Sequence, residues 1–185
     1  MKFYSDLKQK IGTDIPKRIN LHGGLWGMAC NSIHFIDLVE WLTEQHLISV
    51  DTTNLDKKWV EAKRPGYYEV TGEISLKFSK GTELLLQSDP THNNYLINIE
   101  ISENNFWEIN EHEGCMRHSS GELIFGKLSN ISEISTEIIQ NILKNETCDL
   151  TNLRDSCRQH SIILNSFLDH WNKYNNKKDK KVPIT

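Results

Sequence analysis

Apolar and polar residues alternate between Tyr67 and Ser79, and this pattern constrains the fold more than any other feature of the sequence. Successive residues of a β-strand point to opposite faces, so the alternation predicts a strand with one buried face and one hydrated face. The turn-forming residues Ser79-Lys80-Gly81 follow, and residues 82–87 then return as the partner strand of a hairpin. The chain is therefore expected to build an antiparallel sheet that is covered on one side.

Helices and further strands are predicted on both sides of this hairpin. Apolar side chains recur at helical spacing in four segments, residues 1–12, 28–44, 135–144 and 151–174. The other predicted strands cover residues 17–22, 95–102, 105–111 and, more weakly, 122–127. Helices and strands do not alternate as they do in βαβ units. The predicted fold is therefore α+β, an open and mostly antiparallel sheet with helices packed on one face.

The composition is that of an ordinary soluble globular protein, with 185 residues, 37% hydrophobic residues and a net charge of −4. One domain is expected over residues 1–174, followed by a polar, disordered tail over residues 175–185 that contains the only lysine-rich run. An acidic chain repels phosphate backbones, so no nucleic-acid partner is expected. The sequence has no apolar stretch of about 20 residues and no signal-like N-terminus, so a cytoplasmic location without membrane contact is expected.

The cysteines do not form a recognisable metal or redox motif. Four are present without any C-x-x-C pair, namely Cys30, Cys115, Cys148 and Cys157, and reduced thiols are expected. His112, Cys115 and His118 have the spacing of a metal-binding trio in a loop, but no fourth ligand or regular framework accompanies them. No bound metal is therefore expected.

A polar stripe interrupts the apolar helix predicted at residues 28–44. Its members are three or four residues apart, so they share one side of the helix: Cys30, Asn31, His34, Asp37 and Trp41. In a helix that is apolar nearly all round, such residues are either hydrogen-bonded in the core or line a cleft. Spacing alone leaves both interpretations open.

Two further features bear on ligand binding. Arg64, in a loop before the long alternating strand, is either simply hydrated or offers a guanidinium group to a carboxylate or phosphate. The sequence contains neither G-x-G-x-x-G nor G-x-x-x-x-G-K-[ST], so it has no recognisable phosphate-binding loop.

The segment from Gly23 to Asp37 resembles the start of the C-terminal domain of the Gfo/Idh/MocA oxidoreductases, which are NAD(P)-dependent sugar and inositol dehydrogenases. In that family a glycine-rich stretch leads into a helix written D-x-x-x-H-x-x-D, followed by Trp or Tyr and Leu. Here Cys30 occupies the position of the first aspartate, and His34 and Asp37 match the rest. Residues 63–67, 78–81 and 150–160 resemble a polysaccharide-biosynthesis branch, and the resemblance covers about residues 13–174.

The resemblance implies roles for individual residues. His34 would be the catalytic residue that positions or deprotonates the sugar hydroxyl being oxidised, and Cys30, Asn31 and Arg64 would bind substrate. Because Cys30 replaces the family's aspartate, this chain lacks the carboxylate expected there. The family's Rossmann domain has no counterpart in the sequence. NAD or NADP is implied for the complete enzyme, and no cofactor is expected to bind this chain alone.

The expected function is that of a substrate-binding and oligomerisation domain of a sugar oxidoreductase, separate from its dinucleotide-binding domain and not catalytic alone. Its expected partners are a sugar or nucleotide-sugar, a separate Rossmann domain and a second copy of the chain. The copies are expected to meet through an open sheet face carrying Tyr68, Leu84 and Ile97. The alternative is a non-catalytic sugar-binding or scaffold protein that kept the fold.

Overall fold

The computed structural model describes residues 2–92, 94–129, 131–148 and 150–184. The helices are α1 (Lys2–Ile11), α2 (Met28–Thr43), α3 (Ile131–Asn145) and α4 (Leu153–Asn175). The strands are β1 (Arg18–Gly23), β2 (Leu47–Asp51), β3 (Val60–Glu61), β4 (Tyr68–Glu69), β5 (Gly72–Phe78), β6 (Glu83–Ser88), β7 (Tyr95–Ser102), β8 (Asn105–Asn110), β9 (Cys115–His118) and β10 (Leu123–Phe125). Within the described residues, no helix is long and apolar enough to cross a membrane.

Within the described residues, eight strands form one sheet in the order β10-β9-β8-β7-β1-β6-β5-β2, and β3 and β4 form a separate small hairpin. Strand β1 lies between β6 and β7, parallel to β6 and antiparallel to β7. The other neighbouring pairs in the large sheet are antiparallel. The helices lie on one side, so the predicted α+β fold with an open, mostly antiparallel sheet is confirmed.

The core lies between the sheet and the helices. Alternate residues of the central strands point into it, including Leu21, Ile74 and Leu86, which are at most 1% exposed. Helix α2 contributes Ile36, and α4 contributes Phe167. Full burial of each such side chain stabilises the fold by about 1.5–3 kcal/mol.

The prediction that Tyr68, Leu84 and Ile97 lie on the open sheet face is wrong. Leu84 and Ile97 are each 1% exposed and belong to the core. Tyr68 lies in the small hairpin, with its ring centroid 4.9 Å from that of Trp171. Because side chains alternate along a strand, the open face is formed instead by their neighbours, such as Leu96, which is 45% exposed.

The long strand predicted at residues 67–79 is divided into β4 and β5. Gly72 begins β5 with φ +102°, and a Cβ atom there would lie 2.7 Å from the carbonyl oxygen of Asn54. The chain passes close to another segment at this point and turns, which the alternation of side chains does not reveal. The alternation itself is correct, since Val70, Ile74 and Phe78 are all buried.

Residues 176–184 pack against α4, which differs from the disordered tail expected over residues 175–185. The indole N–H of Trp171 donates to Asp179 over 2.9 Å, and the backbone N–H of Tyr68 donates to the carbonyl of Pro183 over 2.8 Å. Val182 and Ile184 pack on the core. These two apolar residues follow the lysine run and hold the end of the chain against the core. Thr185 lies outside the described residues.

Candidate functional site

The site begins where β1 ends, at Gly23. A Cβ atom on this residue would lie 2.3 Å from the Cα of Tyr95, because β7 starts directly beside it. The backbone N–H of Asp89 donates to the Gly23 carbonyl over 2.8 Å, which holds the end of β6 against the same point. Glycine is required here because three strand ends meet without space for a side chain.

The turn that leads into α2 is held in place by a side chain of α2. Gly27 has φ +75°, a left-handed conformation that favours glycine, and a Cβ there would lie 2.9 Å from the Asn31 amide nitrogen. That amide nitrogen donates to the carbonyl oxygen of Trp26 over 2.6 Å. Asn31 is half-buried. Its amide therefore fixes the position of Trp26 at the entrance to the helix.

The N-terminus of α2 is occupied by a carboxylate of the chain itself. Glu69, at the end of β4, accepts hydrogen bonds from the backbone N–H groups of Ala29 over 2.8 Å and Cys30 over 3.2 Å. Burial raises the pKa of Glu69, although the N–H groups of Ala29, Cys30 and Val70 act in the opposite direction. Two of the N-terminal amides of α2, which at other helices can hold an anion, are thus bonded within the chain.

A cavity of about 390 Å³ opens beside the glycine-rich turn. Its lining comes from the turn, the start of β7 and the segments after β8 and β10: Gly24, Leu25, Trp26, Asn94, Tyr95, Glu111, His112 and Leu128. Phe35 of α2 supports this wall. Its ring centroid lies 5.3 Å from that of Trp26 and 5.8 Å from that of Tyr95, both in edge-to-face geometry.

The carboxylate that lines this cavity belongs to Glu111. It accepts hydrogen bonds from the hydroxyl groups of Tyr4 and Tyr95, each over 2.5 Å. Burial raises the pKa of both phenols, and the nearby carboxylate raises it further, so both tyrosines remain hydrogen-bond donors at neutral pH. The carboxylate is held in place and can accept hydrogen bonds from a polyhydroxylated ligand.

His34 is exposed on α2, so the interpretation that it is a buried core residue does not hold. The side chain of Asp37, three residues further along α2, is bonded to residues of α4 and the segment before it. It accepts hydrogen bonds from the Thr151 hydroxyl and, over 3.2 Å, from the side-chain amide of Gln159. Within the described residues, no hydrogen bond joins His34 to Asp37.

Cys30 faces a second cavity, of about 640 Å³, between α2, α4 and residues 180–184. Cys157 and His160 of α4 line the same cavity, together with apolar side chains of both helices. Arg64 lies in the turn between β3 and β4, where its guanidinium carbon is 5.5 Å from the ring centroid of Tyr67. The four site residues predicted from sequence therefore belong to different surroundings.

The trio His112, Cys115 and His118 is not brought together in the described residues. Cys115 and His118 are three apart in β9, so their side chains point to opposite sides of the sheet. His118 is hydrogen-bonded through its two ring nitrogens to Ser120 over 2.7 Å and Asn105 over 2.9 Å.

Sequence reasoning missed Tyr95 and Glu111 as cavity residues. A signal was present, because Tyr95 begins one predicted strand and Glu111 ends the next. In an antiparallel pair, the start of one strand and the end of the next lie side by side at the same end of the pair. Only the pairing of β1 with β7 shows that the glycine-rich turn lies at that end as well.

No protein-family model matches the sequence, and no curated protein matches it. Solved structures do. One is UDP-N-acetylglucosamine 3-dehydrogenase from Acidithiobacillus ferrooxidans, with 12% identity and a TM-score of 0.64 over 87% of this chain and 55% of that one. Another is scyllo-inositol dehydrogenase from Lactobacillus casei, with 16% identity and a TM-score of 0.57 over 94% of this chain and 59% of that one.

A third similar structure is the biliverdin reductase of a Synechocystis species in complex with biliverdin and NADP⁺. It is 12% identical and has a TM-score of 0.61 over 86% of this chain and 56% of that one. The chain thus spans between 55% and 59% of the length of these three oxidoreductases. At such identities the likeness shows the fold alone, which this chain shares with part of each of these three proteins.

Proposed function

We propose that this chain is the substrate-binding and oligomerisation domain of a Gfo/Idh/MocA-type sugar oxidoreductase of the polysaccharide-biosynthesis branch. The observation that carries the proposal is the fold shared with part of two dehydrogenases that act on a nucleotide-sugar and an inositol. The dinucleotide is held by a separate domain. NAD or NADP bound there supplies the hydride acceptor.

His34 is the catalytic residue in this proposal. It is exposed on α2 and adjacent in sequence to Phe35, whose ring supports the wall of the 390 Å³ cavity. A neutral imidazole nitrogen can accept a proton from a hydroxyl group. His34 removes the proton of the hydroxyl group being oxidised, while Asn31 keeps the Trp26 turn in position.

The cavity supplies the sugar-binding groups. Glu111 accepts hydrogen bonds from sugar hydroxyls, and the indole of Trp26 offers an apolar surface to a sugar ring. The resemblance assigns substrate contacts to Arg64 and Cys30 as well; Arg64 lies in the turn of the small hairpin and Cys30 faces the second cavity, so both would contact a part of the substrate outside the 390 Å³ cavity. A volume of about 390 Å³ is within the usual range for a small-ligand pocket.

A non-catalytic sugar-binding or scaffold protein is the second candidate. One observation favours it: Cys30 stands where the resembled family has aspartate, and it faces the largely apolar second cavity. A thiol does not replace a carboxylate as a hydrogen-bond acceptor for sugar hydroxyls. In this candidate the cavity beside Glu111 binds sugar, and His34 has no chemical role.

Calorimetric titration of the chain with UDP-N-acetylglucosamine, scyllo-inositol and free hexoses tests sugar binding. We expect one of these ligands to bind, and Glu111→Gln to weaken its binding at least tenfold because a charged acceptor is lost. The matched control is Glu113→Gln, an exposed position two residues away. Failure of all the sugars to bind, or equal effects of the two variants, would contradict the role of this cavity.

Turnover separates the two candidates. With a Rossmann domain of a related enzyme supplied in trans, His34→Ala is expected to abolish sugar-dependent reduction of the dinucleotide while leaving sugar binding intact. The control His46→Ala changes an exposed histidine beyond the other end of α2. Unchanged turnover in His34→Ala would remove the catalytic role. Without the Rossmann domain, neither NAD nor NADP should bind, and micromolar binding would contradict the division of labour.

A further inference from the structure

Two histidines and one aspartate converge at the end of the sheet, away from the helices. His22 precedes the last residue of β1, and its side chain points away from the core because those of Ile19 and Leu21, at odd-numbered steps from it, are buried. Asp89 follows β6 directly, and His92 comes three residues later. One potential ligand atom of each lies within 4.8 Å of those of the other two.

Strand pairing and a tight turn create this arrangement. In the parallel pair of β1 and β6, His22 lies opposite Gln87, so the chain leaving β6 passes beside His22. The backbone N–H of His92 then donates to the carbonyl of Asp89 over 3.2 Å, which closes the turn. The histidine rings meet at a centroid distance of 4.3 Å and an interplanar angle of 69°.

The aspartate is arranged as a ligand. Its Oδ1 accepts a hydrogen bond from the backbone N–H of Thr91 over 2.9 Å, and its Oδ2 lies 3.7 Å from Nδ1 of His92. The hydroxyl oxygen of Thr91 also lies 3.1 Å from Nδ1 of His92.

We propose that His22, Asp89 and His92 form a three-ligand binding site for a divalent transition-metal ion such as Zn²⁺. Two imidazoles and one carboxylate match the ligand preference of zinc rather than that of Mg²⁺ or Ca²⁺, which favour oxygen ligands alone. With metal–ligand bonds of about 2.0–2.1 Å, ligand atoms in a tetrahedral zinc site lie about 3.4 Å apart. The ligand atoms would have to approach one another from within 4.8 Å to that spacing, and the exposed side chain of His92 has room to rotate.

The bound ion ties the turn after β6 to the end of β1. Three protein ligands leave the fourth tetrahedral position to water. The site is separate from the proposed sugar site in its residues, because His22, Asp89 and His92 do not line either cavity described above. Its occupancy therefore does not depend on the chain being part of an oxidoreductase.

Titration of the metal-free full chain with Zn²⁺ tests the proposal. We expect one equivalent to bind, and His92→Ala and Asp89→Asn each to weaken binding at least tenfold, since ligand loss removes one of three bonds. The matched control is His160→Ala, an exposed histidine on α4, which should bind zinc as the wild-type chain does. Mg²⁺ is expected not to compete at millimolar concentration.

Co²⁺ and thermal unfolding provide readouts that distinguish this site from other surface histidines. Co²⁺ should give the visible absorption of a four-coordinate ion in the wild-type chain and lose it in His92→Ala. Zinc should raise the unfolding temperature of the wild-type chain but not that of His92→Ala, which changes an exposed side chain and keeps the sheet intact. Absence of binding, or equal binding by wild type and His92→Ala, would overturn the proposal.

Discussion

At the scale of single residues, a two-pronged ion pair joins Glu40 of α2 to Arg158 of α4. The guanidinium donates two hydrogen bonds to the carboxylate, over 3.0 and 2.7 Å. The backbone N–H of Leu47 donates to the same carboxylate over 2.7 Å. Burial alone would raise the pKa of Glu40, but the hydrogen bonds from Arg158 and Leu47 outweigh it and hold the pKa below its usual value.

Replacement of Glu40 by Gln is expected to lower the free energy of unfolding by about 1–3 kcal/mol at pH 7, because the charge-assisted bonds to Arg158 weaken. A lowered pKa in the folded state means that the ionised carboxylate stabilises the fold above the usual pKa of 4.5. The difference between wild type and variant should therefore be complete above about pH 5 and shrink as the pH falls through the lowered pKa. Urea unfolding at several pH values measures it.

The control for this experiment is Glu44→Gln. Glu44 pairs with Lys8 over 3.1 Å, but its side chain is 75% exposed. An exposed ion pair contributes about 0–1 kcal/mol, so the control should change stability little at any of these pH values. Equal losses in the two variants would show that the geometry of the Arg158 contact does not matter.

The candidate site could be predicted from sequence only in part, and the residues show why. The helical spacing placed Asn31 and His34 on one stripe but left open whether they are buried; in the structure Asn31 is half-buried and His34 is exposed. The same spacing could not reveal that Asp37 accepts a hydrogen bond from Gln159 of α4, because Gln159 is distant in sequence. Contacts between elements decide which polar groups remain available to a ligand.

At the scale of elements, the end of β1 depends on a glycine that packs against β7. Gly23→Ala would place a Cβ atom 2.3 Å from the Cα of Tyr95, a backbone atom that cannot move without displacing the strand. We expect a loss of about 3 kcal/mol or more in the free energy of unfolding. Denaturant unfolding followed by circular dichroism measures this loss.

Gly81→Ala is the matched control for that substitution. Gly81 has φ +97° in the turn between β5 and β6, and a Cβ there would meet no atom within 4 Å. The control therefore tests backbone strain without a clash, and a cost of about 1 kcal/mol is expected. If Gly23→Ala costs no more than Gly81→Ala, then β7 does not approach β1 as closely as described.

Sequence patterns located the long elements better than the short ones. The helix predicted at residues 28–44 is present as Met28–Thr43, and the strand predicted at 95–102 is present as Tyr95–Ser102. Strands β2, β3 and β9 were not predicted, because two to five residues are too few to establish a period. These short strands form through pairing with longer neighbours, which a local pattern does not contain.

At the scale of the whole molecule, the position of β1 determines the architecture. Strands that follow one another in sequence usually pair, yet β1 inserts between β6 and β7 and pairs with both. This insertion brings the glycine-rich turn next to Tyr95 and the end of β6 next to His22. Neither the cavity nor the histidine cluster could be assembled from the sequence without it.

The open face of the sheet is mixed in character, and the proposed dimer would form there. Leu96 of β7 and Phe125 of β10 are 45% and 72% exposed. They share that face with polar side chains such as Asn98, which lies beside Asn20 of β1. Apolar side chains exposed on a sheet favour association with a second copy.

We expect light scattering at tens of micromolar to give twice the chain mass of 21.5 kDa. Leu96→Arg should give the monomer mass, because two copies would bring like charges together in a desolvated interface. Leu153→Arg is the matched control, since Leu153 is 79% exposed on α4, on the other side of the sheet, and should leave the mass unchanged. A monomer in the wild-type chain would contradict the oligomerisation role, and a dimer that dissociates only in Leu153→Arg would place the interface on the helices instead.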